Sequence, residues 1–228
     1  MPQVNKDNIK SHAATVNMLS NMRETYAIKD ELFNNLTLNG KSCTLVPTSL
    51  NHANELAKAV LDGELWKLWY TLIPNPDDME LEISRRLSLK EQAKMVPFTV
   101  ICNKSQKPIG MTSFLNIDLE NARLEIGGTW YRASAQKTSI NTESKLLMLT
   151  YVFEILDCNA VEFRTHIMNR NSRKSIERIG AKLDGILRNH MVMPNGTLRD
   201  TCVYSIISNE WSTVKENLKY LSTLSFTK

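Results

Sequence analysis

The spacing of apolar residues changes several times along the chain, and each change predicts a new element. Residues 41–47 are rich in β-branched side chains and end at a proline, which predicts a strand. Apolar residues at helical spacing then predict a helix that is capped by Ser49 or Asn51 and runs to about Asp62. A second helix is predicted over residues 77–94, after a turn-rich segment of proline, asparagine and aspartate.

The middle of the chain combines three strands with one long helix. Apolar and β-branched runs predict strands over residues 97–102, 109–117 and 122–131, and the short polar loops between them predict an antiparallel meander. Apolar positions then recur every three or four residues, which predicts a helix over residues 142–156 with Thr142 as its N-cap.

The last third of the chain continues in the same mixed manner. Alternation predicts a strand over residues 160–167, and a helix over residues 171–179 follows it. Two further strands, residues 183–193 and 200–207, are joined by a Pro-Asn-Gly turn and precede a final helix over residues 209–221. The elements together predict a mixed α/β fold in which helices cover a sheet.

Length and composition favour one large domain and exclude several classes of protein. The chain has 228 residues, 42% of them apolar, and we assign residues 41–228 to a single domain behind an N-terminal extension, residues 1–40. The net charge is +4 with scattered positive residues, whereas a nucleic-acid-binding protein more often has a basic stripe. No apolar run is long enough for a membrane span, and the four separated cysteines favour a reducing, cytoplasmic setting.

The segment between the third meander strand and the long helix is rich in small and polar residues. A loop that leads into a helix presents free backbone N–H groups and the positive end of the helix dipole, which together make an anion site. Arg132 and Lys137 add positive charge. An ordinary surface loop before a capped helix has the same pattern, and this feature alone favours that alternative.

The order of several motifs resembles one enzyme family. Residues 129–143, with a loop containing glutamine and asparagine before a Thr-Glu helix start, resemble motif A of the GNAT acetyltransferases and are most similar to the RimJ/RimL branch. Residues 169–181, 184–188 and 199–205 resemble the downstream helix and closing strands of that branch. The resemblance covers approximately residues 41–218.

This resemblance implies a fold and a donor. The fold would be GNAT-like, with a central, mixed, mostly antiparallel twisted sheet that is splayed at its middle and has helices on both faces. The donor would be acetyl-CoA, whose pantetheine arm enters the splayed gap. The residues implied in binding it are Gly128, Thr129, Trp130, Gln136, Lys137, Thr138, Ser139, Ile140, Asn141, Thr142 and Asn169. Ser139 and Asn141 depart from the family pattern, because they stand where glycines usually allow close approach of the phosphates.

Two residues are candidates for the proton transfers. Glu125, on the strand that should border the gap, is the candidate base, since burial can raise the pKa of a carboxyl group toward neutrality. An outward-facing strand glutamate is the alternative. Ser172 is implied as the acid or as a hydroxyl that contacts the donor, although Ser172 and Asn169 could equally be helix caps.

The aromatic and histidine residues give weaker indications. Trp66, Trp69 and Tyr70 could line an acceptor pocket or could belong to the core. His166 and His190 lie in separate strands without a second ligand at metal spacing, so we expect no metal site.

The sequence thus predicts an enzyme that moves an acetyl group from acetyl-CoA to a primary amine by direct attack in a ternary complex. The acceptor would be a polypeptide N-terminus or a small amine, and the protein would work without nucleic acid or membrane, as a monomer or a homodimer. The alternative is a non-catalytic binding or sensor module with the GNAT fold.

Overall fold

The computed structural model describes residues 32–33 and 36–224, and the described residues from Thr37 onward form one compact unit. Most of the predicted extension lies outside the described residues. Within the described part, eight strands form a single sheet in the order β1-β2-β3-β4-β5-β6-β8-β7. The strands are β1 Leu38–Asn39, β2 Cys43–Pro47, β3 Met95–Cys102, β4 Lys107–Asp118, β5 Arg123–Tyr131, β6 Ala160–His166, β7 Lys182–Val192 and β8 Leu198–Ile207.

Five helices accompany the sheet in the same part of the chain. They are α1 Ala53–Leu61, α2 Met79–Glu91, α3 Ser139–Glu154, α4 Arg170–Arg178 and α5 Trp211–Thr223. Every predicted strand and helix is present, and the β3–β4–β5 meander is confirmed. The short strand β1 was not predicted and falls inside the segment assigned to the extension, where it pairs with β2.

Helices cover both faces of the sheet, as the resemblance implied. Met111 of β4 and Trp130 of β5 belong to an apolar cluster with residues of α1 and α2. Thr112 follows Met111, so its side chain points to the opposite face, where it meets Lys145 of α3. The aromatic rings of Phe153 and Trp211 stack at 5.2 Å between α3 and α5.

The sheet is antiparallel except between β5 and β6. These two strands run parallel and pair over three positions, which join Arg123–Glu125 to Ala160–Glu162. After Glu125 they separate, while β5 stays paired with β4 and β6 with β8. The prediction of a mixed, mostly antiparallel sheet splayed at its middle is therefore confirmed.

Candidate functional site

The gap between β5 and β6 leaves two strand edges without a partner in the described structure. On β5 the open edge covers residues 126–131, and on β6 it covers residues 163–166. An open edge presents a row of main-chain N–H and C=O groups, and an extended ligand can add to it as a further strand. The gap is thus suited to a long, narrow ligand that contains amide groups.

A β-bulge bends β5 beside this gap. Met111 pairs with Trp130 and Ser113 pairs with Gly127, so β5 contains one residue more than β4 over the same stretch. Gly128 supplies the bulge with a φ of 58°, which glycine adopts without the steric cost that a side chain brings. The bulge lies just beyond the last β5–β6 pair, and it accompanies the separation of the strands.

Two buried cations flank the bulge from opposite faces of the sheet, and neither was predicted. Arg86 of α2 donates from both terminal nitrogens to the Gly128 carbonyl at 3.3 Å, and its Nε donates to Glu82 at 2.7 Å. Lys145 of α3 donates from Nζ to Thr129 Oγ1 at 3.1 Å. No described carboxylate forms an ion pair with this lysine, and burial lowers the pKa of Lys145 to about 7.

Glu125, the predicted base, occupies the last paired position of β5 and is 6% exposed. The side-chain amide of Asn116 donates to its Oε2 at 2.7 Å, and Nε of Arg164 lies 3.5 Å from the same oxygen. Burial raises the pKa of Glu125, while the charge of Arg164 and the Asn116 hydrogen bond oppose that rise. Glu125 is therefore a desolvated carboxyl group at the mouth of the gap, and it is not an outward-facing strand residue.

Helix α3 begins three residues before the predicted position. Thr138 is the N-cap, and its Oγ1 accepts the N–H of Ile140 at 3.3 Å. The assignment of Thr142 as the cap was wrong, because the residues of the first helical turn are mostly polar and give no apolar spacing that would predict a helix. Thr142 is fully buried inside the helix, and its hydroxyl accepts a hydrogen bond from Arg178 at 2.9 Å.

The loop before α3 keeps the main-chain features of an anion site. The first N–H groups of a helix have no acceptor within the helix. Among those of α3, the described hydrogen bonds give only the Ile140 N–H an acceptor, which is Thr138 Oγ1. Lys137, just ahead of the helix, has a left-handed backbone with a φ of 56°. A left-handed residue next to helical ones can turn successive N–H groups toward one anion. Ser139 and Asn141 lie within the helix and do not need the freedom of glycine. Their departure from the family pattern therefore leaves the helix start intact.

Several other residues that were predicted to bind the donor form hydrogen bonds or packing contacts within the protein. The side-chain Nε2 of Gln136 donates to the Tyr131 carbonyl at 2.9 Å, which ties the loop to the end of β5. The Trp130 side chain is buried in the apolar cluster, so it can offer only its main chain to the gap. Asn169 is the N-cap of α4, and its Oδ1 accepts the N–H of Ser172 at 3.0 Å. Ser172 lies in the first turn of α4 and is half-buried.

The aromatic segment after α1 reaches β6. Trp69 and Tyr70 contact the ring of His166 edge to face, with centroids 5.3 and 6.5 Å apart. Trp69 is 48% exposed, whereas Trp66 packs against the apolar cluster. The sequence left two alternatives for these aromatic residues, an acceptor pocket or the core. Trp66 belongs to the core, whereas Trp69 and Tyr70 lie beside the open part of β6.

Residues 32–33 and 36–224 contain neither a helix suited to crossing a membrane nor a cluster of metal ligands. No helix there is both long and apolar enough to cross a membrane. No group of three or more His, Cys, Asp or Glu side chains has an arrangement that could hold a metal ion.

Comparison with known proteins identifies the family. A family model described as an acetyltransferase (GNAT) domain matches residues 43–182, which is more than half of the chain. The chain belongs to the GNAT acetyltransferase family. The family model and the named relatives support an acetyl-transferring enzyme.

Relatives of this GNAT protein include two from Bacillus. YdaF of Bacillus subtilis (strain 168) is 34% identical over 102 residues, which are 45% of this chain and 55% of YdaF. Its name assigns it provisionally to the ribosomal N-acetyltransferases. The N-acetyltransferase p20 of Bacillus licheniformis, named as uncharacterized, is 28% identical over 180 residues, which are 77% of this chain and 98% of p20.

Solved structures extend the likeness over most of the fold. A GCN5-related N-acetyltransferase from Brucella melitensis is 26% identical, with a TM-score of 0.74 over 83% of this chain and 86% of that chain. RimJ of Mycobacterium smegmatis, solved in complex with CoA-disulfide, has a TM-score of 0.71 over 86% of this chain and 99% of that chain. Its identity is 16%, so this second likeness concerns the fold. The RimJ-like fold and the name of YdaF together support assignment to the RimJ/RimL-like branch.

Proposed function

We propose that this GNAT protein transfers the acetyl group of acetyl-CoA to a primary amine, carried by a polypeptide N-terminus or a small molecule. The observation that carries the proposal is the gap between β5 and β6 beside the start of α3. The amide-containing pantetheine arm fits an open strand edge, and the diphosphate fits a helix N-terminus. The CoA complex of RimJ, which has a similar fold, supports this kind of donor.

Residues of the loop and of β5 would hold the donor. The free N–H groups ahead of and within the first turn of α3, together with the charge of Lys137, would bind the diphosphate. The main chain of β5 from Gly128 to Trp130 would pair with the pantetheine arm. Asn141, half-buried in the first turn, lies where its side chain can add a hydrogen bond.

The reaction then needs one proton acceptor and one proton donor. The Glu125 carboxylate takes a proton from the amine, directly or through water, and the neutral amine attacks the thioester carbonyl. The N–C bond forms, the C–S bond breaks, and the departing sulfur takes a proton from the Ser172 hydroxyl or from water. The acylated nitrogen then loses its remaining extra proton, which restores the proton given up by that donor. Direct transfer in a ternary complex uses these groups and requires no metal.

Binding of the donor is tested first, by calorimetry with acetyl-CoA. Asn141→Asp keeps the size of the side chain and adds a negative charge beside the diphosphate, so we expect affinity to fall roughly tenfold or more. The matched control is Asn54→Asp, an exposed asparagine in the first turn of α1, which should bind acetyl-CoA like the wild type. Absence of acetyl-CoA binding in the wild-type protein would remove the proposal.

Turnover is tested by release of free CoA thiol against a panel of amines. Glu125→Gln should lower kcat roughly 100-fold while the affinity for acetyl-CoA stays close to that of the wild type. In the wild type, kcat should rise with pH as Glu125 loses its proton, because the carboxylate form is the base and burial raises its pKa. Binding of acetyl-CoA without thiol release for any amine would instead favour a non-catalytic binding module.

A further inference from the structure

One face of the sheet at the gap carries more arginine than carboxylate charge. Glu162, next to Glu125 across the β5–β6 pair, forms ion pairs with Arg123 and with Arg164, the latter at 2.8 Å. Arg164 also approaches Glu125, with its Nε 3.5 Å from a carboxylate oxygen. Both carboxylates therefore have a cation partner without Arg199, which stands on the same face of β8.

Arg199 itself is held but not neutralised. Its Nε donates to Thr201 Oγ1 at 2.8 Å, and it forms no ion pair with any carboxylate in the described residues. Thr201 pairs in register with His166, so the Arg199 side chain lies back toward the open part of β6. Its charge lowers the pKa of His166 and opposes the rise in the pKa of Glu125. The side chain is half-buried.

His166 adds a hydrogen-bond donor that no described residue accepts. Its Nδ1 accepts the N–H of Met168 at 3.1 Å, so the neutral ring carries its proton on Nε2. The ring is 3% exposed, and Nε2 has no hydrogen-bond partner among the described residues. A buried donor without an acceptor is costly, and proteins seldom retain one without a reason. Trp69, which is half-exposed, contacts the His166 ring edge to face.

We propose that Arg199 and His166 form the acceptor end of the site, and that the preferred acceptor is a primary amine that also bears a carboxylate. The amine would lie toward Glu125, and the carboxylate would pair with the unmatched guanidinium of Arg199. The Nε2–H of His166 would donate to an oxygen of the same molecule. This inference rests on the proposed function, and it narrows the substrate class from amines in general to anionic amines.

The experiment compares acceptors in matched pairs that differ by one carboxylate. One pair is a tripeptide with an amidated C-terminus and Asp or Asn at its second position, and the other is a free amino acid and its carboxamide. For each compound, kcat/KM is measured by thiol release, and the dissociation constant is measured by calorimetry on the CoA-loaded protein. The two pairs distinguish an acidic peptide from a free amino acid as the source of the carboxylate.

The variants are Arg199→Met, which removes the charge, Arg199→Lys, which keeps it, and the control Arg188→Met. Arg188 belongs to the same hairpin, is 79% exposed and pairs with Asp200. We expect the wild type and Arg188→Met to favour the carboxylate member of at least one pair roughly tenfold or more. Arg199→Met should lose that preference, measured as the ratio between the two members of a pair within each variant, whereas Arg199→Lys should keep part of it.

Equal values for both members of each pair, in turnover and in binding, would overturn the inference, as would a preference that survives in Arg199→Met. Failure of the proposed function has a different signature. No thiol would then be released for any amine, while the binding comparison would still decide whether Arg199 selects a carboxylate.

Discussion

Replacing the buried lysine of α3 by methionine should stabilise the protein. Lys145 is 6% exposed, and its Nζ has two threonine hydroxyls as its described partners, at 3.1 and 3.4 Å. Methionine has a similar length and volume and carries no charge. The hydroxyls of Thr112 and Thr129 already bond to each other at 2.7 Å, so they keep a partner when the ammonium group is removed.

The size and the pH range of this effect follow from the pKa of Lys145. Burial lowers it from 10.5 to about 7, so between these values the unfolded chain binds a proton that the folded chain does not. The free energy of unfolding of the wild type therefore rises with pH through this range, and the full penalty is present below about pH 7. At 1.36 kcal/mol per pH unit the upper bound is about 5 kcal/mol, and it falls to about 3 kcal/mol at pH 8. Allowing for lost hydrogen bonds, we expect a gain of about 2–4 kcal/mol at pH 7.

Urea unfolding of wild type and Lys145→Met at several pH values, from about 6 to 9.5, measures this difference. The gap between the two curves should be widest at the acid end and should narrow as the pH rises. Lys219→Met is the control, because Lys219 is 50% exposed on α5 and pairs with a neighbouring glutamate. A Lys145→Met protein less stable than wild type at pH 7, or a gap that does not change with pH, would refute the reasoning.

Three further changes should destabilise the protein in the same urea assay. Arg86→Met should lose about 3 kcal/mol, because it removes one of the two cations that pair with the half-buried Glu82 and both donors to the Gly128 carbonyl; unchanged stability would contradict this. Gly110→Ala should lose at least about 2 kcal/mol, since the new Cβ would stand 2.1 Å from the Trp130 carbonyl oxygen, and a wild-type midpoint would show that β4 and β5 can separate. Gly196→Ala should lose about 1 kcal/mol through its φ of 81° alone, because nothing lies within 4 Å; no loss would mean that the turn relaxes.

Much of the fold could be predicted because its elements are separated by polar turns and differ in period. The meander and the closing hairpin each combine a β-branched run with a short turn, and all their strands lie within a few residues of the prediction. The start of α3 was missed because Ser139 and Asn141 give no apolar signal in its first turn. Strand β1 has two residues and no period that a sequence could show.

The charged groups of the site were harder to predict, although part of the signal was present. Lys145 stands four residues before Leu149 and seven before Val152, both fully buried, so it occupies an apolar position of α3. Arg86 follows Met79 and Ile83 at the same spacing on α2. A cation on the apolar side of a helix is a signal that could have identified both. No local pattern could have placed Arg199 beside β6, because that contact depends on how the strands pair.

The ionisable groups near the bulge of β5 are buried at a cost in stability. Burial disfavours the charged forms of Arg86, Glu125 and Lys145, and only the first two have an oppositely charged partner. Selection for stability alone would favour apolar side chains at such positions, since well-packed replacements of buried charges are often neutral or stabilising. Perturbed ionisable groups instead gather where chemistry uses them. The stability that we expect Lys145→Met to gain should therefore come with slower acetyl transfer. A variant that is both more stable and equally fast would show that the lysine does not serve the gap.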